Sequence, residues 1–132
     1  MALTLISRNL ISIFFLLITP PAFANIGEVI DQKGITNIER GEDGFAEIGE
    51  GFSMKSMDTV RTKNGRTSIE FIDETRVDVT EHSKLIIDSF VYDPNTQTGS
   101  LSLKASFGTM RYASGQIAKN SRQNIKIKTP TA

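Results

Sequence analysis

The chain of 132 residues has no cysteine, no tryptophan and one histidine. Without cysteine there is no disulfide framework, thiolate zinc site, redox pair or cysteine nucleophile. The single histidine, His82, excludes a multi-histidine metal centre. Charge of one sign is not in excess: 15 basic side chains balance 15 acidic ones. That balance argues against a nucleic-acid-binding domain, which carries a surplus of cations. A long apolar run is missing as well. The stretch Leu10 to Ile18 is interrupted only by Ser12, and it is about half of the roughly 20 residues that a spanning helix needs.

What is present begins with an address. Arg8, the apolar run, the helix-breaking Pro20 and Pro21, and Ala22-Phe23-Ala24 together read as a cleavable signal peptide over residues 1–24. The remaining residues, 25–132, are then expected in the periplasm or outside the cell, with no membrane span after cleavage. The length suits one domain.

Beyond Asn25 the hydrophobic period is two. Ile69 and Phe71, Val77 and Val79, Leu85 and Ile87, Leu101, Leu103 and Ala105, Met110 and Tyr112, and Ile125 and Ile127 each alternate with polar neighbours. Turn residues separate these runs, among them Lys33-Gly34, Lys63-Asn64-Gly65 and Asp93-Pro94-Asn95. The reading is an all-β single domain of many short strands: a roll, a sandwich or a short solenoid. Its core is expected to hold Val60, Ile69, Phe71, Val77, Val79, Leu85, Ile87, Leu101 and Leu103. Only Gly115 to Asn124 lacks alternation, and a loop with a helical turn is expected there. Asn124 to Thr129 should form a strand with one buried face, lying at an edge because Pro130 has no amide hydrogen. Phe90 to Ser100 should form a hairpin in which Pro94 sets the turn and Gly99 can accept positive φ.

The chemistry-bearing residues support no active site. The doublets Glu42-Asp43 and Asp73-Glu74 place neighbouring carboxylates on opposite faces of a strand, so neither is a general acid/base pair by itself, and both read as surface turns. His82 and Ser83 lack a nucleophile elbow. Asp93, Asn95 and Gln97 lack the full acidic set of a calcium loop. Catalytic residues, metal ligands and cofactors are therefore not expected. One asymmetry stands out. Between Glu28 and Asp93 lie all 15 acidic residues and eight basic ones, whereas residues 94–132 hold Lys104, Arg111, Lys119, Arg122, Lys126 and Lys128 with no acid. Either the basic strands pair across acidic ones and offset them, or Lys119, Arg122, Lys126 and Lys128 form an interaction surface for an anionic envelope polymer, an envelope protein or a second copy. The first is the expectation, since opposite charges across a ladder are stabilising.

Met57-Asp58-Thr59-Val60-Arg61-Thr62, followed by Thr67 to Val79 and by Ser83-Lys84-Leu85-Ile86-Ile87, resembles the FecR-domain family. The likeness extends through Phe90-Val91-Tyr92-Asp93-Pro94-Asn95, Gly99-Ser100-Leu101-Ser102-Leu103 and the closing Ile125 to Ala132, and it is strongest over 57–112. Met57 and Glu74 stand where that family has glycines suited to positive-φ turns, so these two turns are expected to be rebuilt. The resemblance implies a β-rich extracytoplasmic domain. Its membrane-anchored regulators of sigma factors need a cytoplasmic segment and an anchor, which leaves an exported binding module as the expected role. A periplasmic signalling component that contacts a partner by strand addition is the alternative, and a glycan-active enzyme is the remotest. The end at Ala132 reads as the opening of a further strand, so a truncated chain is expected, able to self-associate through its C-terminal edge.

Overall fold

The computed structural model describes residues 25–41 and 44–130. The expected signal peptide and the Glu42-Asp43 doublet lie outside the described residues.

Among the described residues eleven strands form two sheets. In chain order they are β1 (Gly27–Lys33), β2 (Thr36–Glu39), β3 (Phe45–Ile48), β4 (Ser53–Met54), β5 (Thr59–Thr62), β6 (Arg66–Phe71), β7 (Arg76–Val79), β8 (Lys84–Asp93), β9 (Thr98–Phe107), β10 (Met110–Ala113) and β11 (Ile125–Lys128). A short helix, α1 (Gln116–Asn120), and a 3₁₀ turn over Arg122–Asn124 join the last two, where alternation is absent from the sequence. One sheet has the order β10-β7-β6-β1-β4 and the other β11-β9-β8-β5-β2-β3. All pairs are antiparallel except β11 with β9.

The inward positions of both sheets meet in one core that contains all nine residues expected there. Ile69, Val77, Val79 and Phe71 come from the five-stranded sheet, and Val60, Leu85, Ile87, Leu101 and Leu103 from the six-stranded one. Phe71 stacks on Phe90 across the two layers, ring centroids 5.2 Å apart. Two sheets closed over a common core make this a sandwich.

The chain changes sheet at seven of its ten strand-to-strand connections. Five of those seven hold a residue with positive φ: Gly34, Gly51, Met57, His82 and Gly108. Such a residue turns the chain sharply from one layer to the other. Two polar side chains beside these corners, Asp58 and Ser83, are buried and hydrogen-bonded within the protein. The Ser83 hydroxyl, for example, accepts from the Thr109 amide at 3.0 Å and lies 3.2 Å from the Thr109 carbonyl, clasping the β7–β8 corner to the β9–β10 corner.

Four expectations need correction. Met57 and Glu74 both keep φ of 71°, so their turns are not rebuilt; the side-chain-bearing residues occupy the left-handed region themselves. In the β8–β9 hairpin Gln97, not Gly99, takes positive φ. Gly99 is needed for space, since a Cβ there would run into the Val91 carbonyl oxygen. Asp73 is no surface residue: it is fully buried. And β11 exists at the edge, but its inward face is not buried. Ile125 is half-buried and Ile127 is 37% exposed, because β11 is the outermost strand of a six-stranded sheet opposed by five.

Candidate basic face of the six-stranded sheet

Ladder register brings together residues that are far apart in sequence. Arg61 on β5 lies opposite Lys84 on β8. Two residues along β8, Ile86 lies opposite Lys104 on β9, and Lys104 lies opposite Lys128 on β11. Residues directly opposite share a face, as do positions i and i+2 of a strand. Arg61, Lys84, Lys104, Lys126 and Lys128 therefore all occupy the outer face of this sheet, with Val60, Leu85, Leu103 and Ile87 turned to the core. Phe107, opposite Lys84, joins them, and the Arg61 guanidinium lies 5.8 Å from the centre of its ring.

Two of these cross-strand pairs, Arg61–Lys84 and Lys104–Lys128, are like-charged. Like charges directly opposite one another destabilise a ladder. Asp88 is the acid nearest this group along the ladder, and it is engaged by the Ser102 hydroxyl at 3.4 Å. Among the described residues the ion pairs are Arg40–Asp58 and Arg76–Asp78, and neither involves a residue of this face.

The four residues expected to form an interaction surface fall in two places. Lys126 and Lys128 belong to the basic face. Lys119 and Arg122 line a depression of about 320 Å³ with Ser114 and Ala118, which neither of those lysines lines. Arg61 and Lys84 lie in the acidic part of the sequence and were not expected to take part; only the register of β5, β8, β9 and β11 reveals them. The offsetting of charge across ladders holds for β10, whose Arg111 lies opposite Asp78. It fails for β11, where Lys128 meets Lys104 and Lys126 meets Ser102.

The opposite sheet carries a second polar surface. Arg66, Arg76 and Arg111 border a depression of about 350 Å³ together with Asp31 and Asp78. Arg76 bonds Asp78 at 3.3 Å, so two of its charges offset each other and the depression is nearly balanced.

The buried carboxylates are committed to structure. Asp58 accepts from Arg40 and from the Lys55 amide at 2.7 Å. Asp73 accepts from the Thr75 amide and hydroxyl and from the Ile117 amide. His82 is exposed in its turn, and its amide donates to the Lys63 carbonyl at 2.9 Å. Asp93 caps its own turn, accepting from the Asn95 amide at 2.9 Å. No helix among the described residues is long and apolar enough to cross a membrane. No protein-family model matches this chain, and no curated protein or solved structure matches it significantly.

Proposed function

We propose that this chain is an exported, non-catalytic, FecR-like binding module of the bacterial cell envelope. Its ligand is an anionic envelope polymer, a polysaccharide bearing carboxylate or phosphate groups, taken by the outer face of the six-stranded sheet. The observation that carries this reading is the pair of like-charged cross-strand contacts, Arg61–Lys84 and Lys104–Lys128, on one face. Charges that repel within the fold cost stability there, and a polyanion laid across them turns that repulsion into attraction. A strand-built face whose cations are spread over β5, β8, β9 and β11 beside Phe107 suits a long ligand better than a small enclosed one. The commitment of Asp58, Asp73 and Ser83 to hydrogen bonds within the corners supports a non-catalytic role. The run from Arg8 to Ala24 supports export.

The test is binding to polygalacturonate and to purified lipopolysaccharide at several salt concentrations. Affinity should fall as salt screens the charges. The triple variant Arg61→Ser, Lys84→Ser, Lys104→Ser should lose binding while gaining stability. Binding to both polymers that survives the triple change would overturn the assignment of this face.

A further inference from the structure

We propose that copies of this protein associate head to tail, the free edge of β11 in one copy pairing with the free edge of β3 in the next. These two strands end the six-stranded sheet on its opposite sides, and among the described residues each is hydrogen-bonded to one neighbouring strand, β11 to β9 and β3 to β2. Both are four residues long. Both also run in the same direction. β3 is antiparallel to β2, β2 to β5, β5 to β8 and β8 to β9, while β11 is parallel to β9. Moving one copy along the sheet, with the ordinary twist between strands, sets β11 beside the next β3 as a parallel pair of the kind β11 already makes with β9.

The side chains fit that arrangement. On β11, Lys126 and Lys128 face outward and Ile127 inward, following Ser102, Lys104 and Leu103 of the neighbouring strand. On β3, Phe45 and Glu47 face outward and Ala46 inward, following Glu39, Asn37 and the buried Ile38. One register that keeps both alternations places Lys126 beside Phe45, Ile127 beside Ala46 and Lys128 beside Glu47, and it is the register proposed. The register joins a cation to a carboxylate and lays the Lys126 stem on an aromatic ring. It also covers two apolar side chains that the single copy leaves out, Phe45 at 63% exposed and Ile127 at 37%.

Charge selects this contact over the symmetric one. A two-fold β11–β11 pairing would set the lysines of one copy against those of the other, which opposes association. Edge lysines alone are a common guard against pairing. Here the other edge carries the complementary acid and an uncovered aromatic ring instead of a guard. A head-to-tail contact joins two different edges, so each added copy offers a fresh edge to the next and assemblies grow with concentration.

Sedimentation velocity and light scattering of the purified full chain, in buffer without polymer, test this. Average mass should rise from micromolar to millimolar concentration and fall with added salt. Lys128→Glu and Glu47→Lys should each weaken association about tenfold, the size of replacing an attractive cross-strand pair by a repulsive one. Mixing the two variants in equal amounts should restore it, since each then offers the edge that the other lacks. The mass of the parent staying constant, the reversals associating as the parent does, or the mixture failing to recover would each overturn the proposal. None of these readouts depends on a polymer ligand, so the outcome is independent of the reading of the basic face.

Discussion

Arg40 closes on Asp58 with two nitrogens, Nε at 2.8 Å from Oδ1 and Nη2 at 2.7 Å from Oδ2. The partners stand 18 residues apart, Asp58 fully buried and Arg40 largely so. The same guanidinium donates to the Ser53 carbonyl at 3.1 Å and lies over the Phe52 ring. It thereby ties the end of β2 in one sheet to β4 in the other. Removing one partner leaves a charge or its donors unmatched in the interior. Asp58→Ala and Arg40→Ala should each cost about 3 kcal/mol. In a double-mutant cycle the pair should cost less than the sum of the two, by at least about 1 kcal/mol. Strict additivity in urea unfolding would show that the two residues act separately.

The core was legible in the sequence because alternation is a local property. Ile69 and Phe71, or Leu101 and Leu103, declare their buried face without reference to a partner. Pairing is not local. Gly27 lies opposite Phe71 in the β1–β6 ladder, and seven of the ten connections change sheet, so neighbours in sequence are seldom neighbours in a sheet. The basic face was hidden for that reason. Counting charges along the chain isolates Lys104, Lys126 and Lys128, but Arg61 and Lys84 join them only through register. The left-handed backbone at Met57 and Glu74 was hidden for another: corner geometry overrides the local preference of an L-residue.

Those two corners are places where the protein can be improved. Met57 and Glu74 hold φ of 71°, a region that costs a residue with a Cβ about 1–2 kcal/mol. Glycine removes that cost and gives back part of it as unfolded-state entropy. Met57 is 68% exposed, so its side chain contributes little packing. Met57→Gly should stabilise the fold by about 0.5–1 kcal/mol. Glu74→Gly should gain less, because the exposed Gln116–Glu74 hydrogen bond is lost. A lowered urea midpoint for Met57→Gly would mean that the turn is not strained.

The register of the core predicts a sharp contrast between similar side chains. Ile69 and Leu103 are fully buried in opposite sheets, whereas Ile127 is 37% exposed on the edge strand. Truncating either core residue to alanine should cost about 2–5 kcal/mol. Ile127→Ala should stay within about 0.5 kcal/mol of the parent when measured at dilution, as expected of a surface position. Comparable losses at all three positions would show that the inward face of β11 is covered.

Asp73 decides whether α1 stays docked. Five residues are too few for a helix to hold itself together in water. What anchors α1 is the buried Ile117 side chain and a carboxylate 44 residues earlier in the chain. Asp73 accepts from the Ile117 amide at 3.2 Å, from the Thr75 hydroxyl at 2.7 Å and from the Thr75 amide at 3.1 Å. Its own carbonyl accepts from the Gln116 amide at 2.8 Å, so one residue fastens both the β6–β7 turn and the start of the helix. Asp73→Ala strips these donors of their acceptor inside the protein, at a cost of about 3 kcal/mol. Asp73→Asn keeps an oxygen in place and should lose less. Hydrogen exchange separates local release from global destabilisation. In Asp73→Ala the amides of Ile117, Lys119 and Ser121 should exchange faster by a larger factor than those of Leu85 and Leu103. An equal acceleration at all five amides would mean that α1 is held by the packing of Ile117 and not by the carboxylate.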